Sequence, residues 1–466
     1  MKDSGGEQAP IGSEIPSMSG GGMPVPPTRL LGLWSLPFFY GWIIVATVFV
    51  AEFVAAGVGT FAVPLFFEPM SRDLGWSLTM MTGALTAQAI VYAGISPFLG
   101  RILDRFGARP VMLFGALFAG GGLVLLGGIQ EIWHFWFLYA GVGALGLHEM
   151  GGFTGPVLIT KWFVKLRGRA MAFATMGTTV GAMVMAPVLG FLITTRGWRE
   201  TWVIMGVMVI VIMVPLTLLF VRKQPEDMGL QPDGLPLAAG MTEARPGGAK
   251  QGLPQGDAST EVSWTLKEAM RTRTLWIIIV AMNLVGLSAS AGVIHLVPFL
   301  TLQQGLSAQT ASFVVAIRFG ASSVSRLLWG FAVDRFHINH CLAVAFLSRA
   351  MHPLVLILIP YPFNVAALVA LSITGGGFQV LQPMAFANYY GRRNVGSILG
   401  AVRPFLTAAS ITGPLLIAFA YDLQGSFNLV FSIAGGLGMV SAAVVLLATP
   451  PRKKDDLALP KSSAEG

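Results

Sequence analysis

The sequence predicts an all-α polytopic membrane protein with 12 transmembrane helices in two pseudo-symmetric six-helix halves. Three observations predict it. Hydrophobic residues make up 54% of the chain and charged residues only 11%, against roughly 25% charged in soluble domains. Twelve apolar stretches each reach the roughly 20 residues that a hydrocarbon core requires. A charged motif also recurs at a fixed offset in the second half. Many of the 57 glycines and 28 prolines fall inside apolar stretches, where membrane helices tolerate both.

Taken in order, residues 1–39 are rich in Gly, Pro and Ser and lack a signal-peptide pattern, so a disordered cytosolic tail is expected. Residues 40–222 form the N-terminal half, with spans at about 41–67, 77–99, 109–129, 133–160, 169–194 and 200–221. Residues 223–273 are a polar linker, containing QPEDMGLQPDGLP, that cannot bury enough apolar area to fold alone. Residues 274–449 form the C-terminal half, with spans at about 274–301, 309–333, 340–360, 364–388, 395–421 and 427–449. Residues 450–466 are a charged tail.

The same composition excludes several functions. One cysteine, Cys341, rules out an internal disulfide framework, and no His/Cys spacing suits a zinc site, so neither metal nor cofactor is expected. The net charge of +8 sits in membrane loops rather than on a soluble basic face, so the partner is the lipid bilayer and not nucleic acid. No nucleophile elbow or paired catalytic carboxylates argue for an enzyme. Gly151-Gly152 and Gly375-Gly376-Gly377 follow no strand and precede no Lys-Ser/Thr, which makes them helix-bending positions rather than phosphate loops.

Even-numbered connections and the two tails carry 23 of the 30 lysines and arginines. Positive charge is retained on the cytoplasmic side, which predicts a multi-pass protein of the plasma membrane with both termini cytosolic.

The repeat is explicit. Gly100-x3-Asp104-Arg105-Phe106 recurs as Gly330-x3-Asp334-Arg335-Phe336, 230 residues on. Pro156, Trp162, Phe163 and Pro187 match Pro383, Tyr389, Tyr390 and Pro414 at an offset of 227, and Val63-Pro64 matches Val297-Pro298. Duplicated halves joined by a linker place a site between them at mid-membrane.

The run Gly100-Arg101-Ile102-Leu103-Asp104-Arg105-Phe106-Gly107-Ala108-Arg109 resembles the signature of the major facilitator superfamily in the loop between spans 2 and 3. Glycine there permits close helix approach, and the aspartate is suited to capping or pairing at a neighbouring helix end. Within that superfamily the chain is similar to the monocarboxylate-transporter-like group and its oxalate/formate-type relatives. The similarity is carried by Trp162-Phe163-x3-Arg167-Gly168-Arg169, Gly197-Trp198-Arg199-Glu200, His295-Leu296-Val297-Pro298 and Arg326-x3-Gly330-x3-Asp334-Arg335. The resemblance implies a major facilitator fold and a secondary transporter moving its substrate by alternating access. Two positions depart from the animal members: Phe61 stands where they have a lysine, and Ser322 where they have an aspartate. Their proton relay therefore does not transfer, whereas the span 8 arginine does, as Arg326.

A charge at the bilayer centre costs about 2.5–3.5 kcal/mol on insertion scales, so each one needs a partner, a cavity or a function. Arg318, Arg326, Arg349 and Arg403 lie within spans, against only Glu52 and Glu149. This shortage of negative charge predicts a small organic anion as partner, most simply a monocarboxylate. Arg326 and Arg403 are about 7 Å off centre at 1.5 Å per residue, and a guanidinium fork suits a carboxylate. Pairing of Arg326 with a helix carbonyl or with Glu149 is the structural alternative. Arg318 is eight residues from Arg326, about 12 Å along the helix, too far to share one small anion. It is expected to attract anions from outside. Arg349, on a peripheral third helix of the resembled fold, is expected to be structural. Glu149 is the first choice for carrying a proton, with His148, Glu52 and His295 as further candidates. These features predict a monomeric proton-coupled symporter, with anion exchange and drug export as the alternatives.

Overall fold

The computed structural model describes residues 28–30, 34–36, 38–59, 62–234, 263–293 and 295–451. Phe61, most of the two tails and the middle of the linker lie outside the described residues. The chain opens with a short antiparallel ribbon, β1 (Thr28–Leu30) and β2 (Trp34–Leu36), which pairs Thr28 with Leu36. This part of the expected disordered tail therefore has regular structure, and Phe39 behind it packs edge-on against Phe163.

The first half comprises α1 (Gly41–Val58), α2 (Pro64–Leu74), α3 (Leu78–Phe106), α4 (Ala108–Leu126), α5 (Ile132–Gly141), a π-helical segment Val142–Gly152, α6 (Thr154–Trp162) and α7 (Arg167–Phe220). After a short α8 (Leu266–Met270), the second half comprises α9 (Arg273–Val293), α10 (Leu296–Pro298), a π-turn Phe299–Gln303, α11 (Ala308–Val333), α12 (Ile338–Leu358), α13 (Phe363–Gly375), α14 (Phe378–Tyr390), α15 (Val395–Gln424) and α16 (Asn428–Leu446). Among the described residues, nine helices are long and apolar enough to cross a membrane. The twelve spans read from the sequence do not reappear as twelve such helices. Spans 5 and 6 are fused in α7 across a non-helical Gly197, and spans 4 and 7 are interrupted by π-helical or broken turns.

The duplication reaches the helix ends. Ser77 caps α3 by accepting from Met80 N at 3.2 Å, and Ser307, 230 residues later, caps α11 by accepting from Thr310 N at 3.1 Å. Gly75 and Gly305, again 230 apart, precede those caps with φ of 72° and 69°, a left-handed conformation open to glycine at little cost. Pro64 and Pro298 sit at the matching interruptions of the first and seventh spans.

Within halves, α7 packs on α1 and α4, while α16 packs on α9 and α12; across halves, α3 packs on α15 and α7 on α11. The two cross-half seams are equivalent under the repeat.

The polar stretch after α7 is ordered where it is described. Asp233 accepts from the amides of Val164, Lys165 and Leu166 at 3.1, 2.8 and 3.2 Å, so a linker residue covers the free N–H groups leading into α7. Glu226 pairs with Arg392 of the other half at 2.6 Å.

Candidate functional site

The helix ends that carry the repeated motif are locked together. Asp104, at the end of α3, accepts from the amides of Gly396 and Ser397 at 3.2 and 2.6 Å, capping α15, and pairs with the buried Lys161 at 3.2 Å. Asp334 does the same for α7, accepting from Gly168 N at 2.7 Å and Arg169 N at 3.2 Å, with the Arg169 Nε at 3.5 Å. A carboxylate at a helix N-terminus satisfies orphan donors and complements the helix dipole. Burial raises the Asp334 carboxyl above its ordinary pKa, an effect opposed by those two amides and by Arg169.

Glycines make these seams possible. A methyl group on Gly100 would strike the Gly396 carbonyl, and one on Gly330 would meet Ala172 and the Gly168 carbonyl. The other motif residues brace the same end. Gly107 turns the chain between α3 and α4, Arg105 offers its carbonyl to Lys223, Arg109 donates to the Leu218 carbonyl at 2.7 Å, and Arg335 is exposed.

Beyond this lock, the two halves enclose a cavity of about 960 Å³. Its polar wall is built from Glu52 on α1, Gln88 on α3, His148 in the π-segment, Thr178 and Thr179 on α7, Arg326 on α11 and Arg403 on α15. Much of the remainder is apolar, including Leu147, Phe153, Val180, Phe319, Phe378 and Leu406.

Arg326 reaches across to the other half. One amino group donates to the Thr175 carbonyl at 2.9 Å and to Thr179 Oγ1 at 2.8 Å, while its buried Nε has no hydrogen-bond partner among the described residues. Arg403 lies over the Tyr92 ring at 5.1 Å, and Tyr92 stacks on His148 at 4.2 Å. None of the four arginines within spans makes an ion pair with a carboxylate among the described residues. The sequence alternative is thus realised in part: Arg326 does bond a helix carbonyl, but it does not pair with Glu149.

The two acids differ in placement. Glu52 lines the cavity, accepts from Thr178 Oγ1 at 3.0 Å, and lies within electrostatic reach of Arg326 and Arg403. Glu149 is fully buried outside the cavity wall, with its Cβ beside Gly115 on α4 and, among the described residues, no hydrogen-bond partner on either oxygen. His148 faces the cavity and approaches Gln88 at 3.4 Å. His295 sits at the break before α10, tilted against Phe427, away from the cavity.

Arg318 and Arg349, which the sequence set apart from Arg326, line a second pocket of about 240 Å³ together with it. Helix arithmetic compares Cα positions, and long guanidinium side chains close that gap.

Several site residues carry no charge and so went unread: Gln88, Tyr92, Thr178 and Thr179. The signal available was the 175, 178, 179 spacing of threonines, which places three hydroxyls on one helix face. Lys161 and Arg167, basic residues at the connection between spans 4 and 5, are buried, with Arg167 bonding Phe163 O, Thr160 O and, across the halves, Asn388.

Residues 48–401 and 285–464 match the family model described as Major Facilitator Superfamily. The chain belongs to that superfamily, whose members are membrane transporters. It is similar to human monocarboxylate transporter 11, with 25% identity across 88% of this chain and 83% of the relative. It is also similar to the oxalate:formate antiporter of Oxalobacter formigenes, with 24% identity across 83% and 86%. Among solved structures, the fold is similar to the E. coli fucose:proton symporter, with a TM-score of 0.64, 15% identity and coverage of 87% and 98%. It is likewise similar to the human organic anion transporter MFSD10, with a TM-score of 0.63, 16% identity and coverage of 87% and 99%. As a major facilitator chain, the protein carries its central cavity at the interface of its own two halves.

Proposed function

We propose that this transporter moves a small monocarboxylate with an apolar body, coupled to a proton, by rocking its halves about the central cavity. The observation that carries the reading is the pair Arg326 and Arg403, both in the cavity wall, neither bound to a carboxylate, facing Glu52 across the half interface. A carboxylate is the planar anion that a guanidinium grips bidentately, and the apolar wall suits the rest of the molecule. The monocarboxylate and oxalate:formate relatives agree with that substrate class.

Geometry favours Glu52 over Glu149 as the proton carrier. An anion seated between the two arginines would remove the attraction they exert on Glu52, and a proton arriving with the anion restores the balance. With the basic connections cytosolic, the motif lock closes the cavity on its cytosolic side. The plasma membrane, cytosolic termini and a monomer complete the proposal; one chain supplies the whole cavity.

The test is uptake of labelled short carboxylates into proteoliposomes under an imposed inward proton gradient. Wild type should concentrate a monocarboxylate, and Arg326→Ala should lose at least about tenfold of that uptake, as expected for a charge-assisted hydrogen bond worth about 1.5–3 kcal/mol. Glu52→Gln should abolish the response to the gradient. Equal accumulation by Arg326→Ala would refute the substrate site, and uptake that requires internal anion instead of a gradient would replace symport with exchange.

A further inference from the structure

Beside the main cavity, Arg318, Arg326 and Arg349 converge with His352 on the small pocket of about 240 Å³ between α11, α12 and the α13–α14 break. Among the described residues, no carboxylate lines it. Among the described residues, the Arg318 Nε (Arg318 is 7% exposed) and the His352 Nε2 (His352 is 6% exposed) have no hydrogen-bond partner. Arg349 is held by the face of Phe378 at 5.3 Å, and Arg318 bears on it with like charge. Burying several cations around one small volume is costly unless an opposite charge sits among them. Arg326 is committed by one amino group to α7, which leaves Arg318 and Arg349 as the uncompensated pair.

We propose that this pocket is a second anion site, in which Arg318 and Arg349 hold a small anionic group apart from the carboxylate gripped in the central cavity. Its volume, room for about eight waters at roughly 30 Å³ each, admits a halide or a small carboxylate. The anionic group has two sources. It is a free small anion such as chloride, or it is the second carboxylate of a substrate that reaches past Arg326, and this latter source rests on the function proposed above. Ser322 lines the same pocket against Gly376, so an acid introduced there supplies the missing charge from the chain itself.

The experiment is the melting temperature of the purified full chain in detergent, at constant ionic strength in bulky isethionate, with chloride, acetate or malonate added. If the group is a free anion, saturating chloride raises the wild-type midpoint by about 3 °C or more. Arg326→Ala keeps that shift, so failure of the substrate site would not hide it, while Arg318→Gln and Arg349→Gln lose it. Ser322→Asp should melt higher than wild type without chloride and no longer respond to it, which gives a reading even where an arginine variant does not fold. If the group is a second carboxylate, chloride has no effect, malonate stabilises wild type more than acetate does, and Arg349→Gln erases the excess. A chloride shift unchanged in Arg318→Gln and Arg349→Gln, or no chloride shift together with equal responses to malonate and acetate, would overturn the second site.

Discussion

The two halves share a scaffold and divide the charges. Ser77 and Ser307 cap equivalent helices, Asp104 and Asp334 cap equivalent partners across the seams, and Gly100 and Gly330 bring the backbones together at both. Within the spans the correspondence stops: Glu52 and Glu149 belong to the first half, and Arg318, Arg326, Arg349 and Arg403 to the second. Arg403 corresponds at the 227 offset to Met176, and both line the main cavity. Arg326 corresponds at the 230 offset to Ser96, whose hydroxyl likewise reaches a backbone carbonyl across the seam, that of Gly400 at 3.1 Å. The difference teaches that closure is a symmetric property, needing the same contacts on both sides. Anion recognition is not; it needs charge on one wall and a complementary group on the other.

The sharpest way to break this comparison is to move the charge. Arg403→Met should reduce carboxylate uptake by about 10- to 100-fold, as expected when a charged hydrogen bond is removed. Adding Met176→Arg should restore part of it, since the charge returns to the same cavity from the opposite wall. Uptake by the double variant no better than by Arg403→Met would mean that the side of the cavity matters as much as the charge. The symmetric part of the comparison predicts that Gly100→Leu and Gly330→Leu each lower uptake by about tenfold or more while leaving equilibrium carboxylate binding intact, because either side chain wedges open a backbone contact. A clear inequality between the two would show that the seams are not equivalent in transport. The smallest effect concerns the platform under Arg403. Tyr92→Leu removes a cation–π contact worth about 0.5–2 kcal/mol and should weaken binding by about two- to thirtyfold. Tyr92→Phe keeps the ring and its cation–π contact with Arg403, so binding should fall by less than in Tyr92→Leu.

The fold was legible because repeated motifs and apolar length are one-dimensional signals. The Gly75/Gly305 and Ser77/Ser307 pairs belonged to the same signal and extend it to the turns. The placement of side chains around a helix was less legible. His148 and Glu149 are adjacent, yet one faces the cavity and the other faces α4, and they sit on a π-helical segment. Neighbours lie about 100° apart around a helix, and nothing in a single segment says which of the two turns toward the other half. The same limit set Arg318 apart from Arg326, and Arg349 aside as structural. The eight-residue spacing of Arg318 and Arg326 holds, but the pocket they share with Arg349 is formed where long side chains end, between elements whose packing no single segment encodes.

The most direct test of the central claim is equilibrium binding of a labelled short monocarboxylate to the purified chain, compared among wild type, Arg326→Ala, Arg403→Ala and the double variant. Saturable binding that weakens about tenfold or more in each single variant and vanishes in the double variant is the predicted result. Binding of unchanged affinity in the double variant would contradict the claim that the second half's guanidinium groups hold the anion.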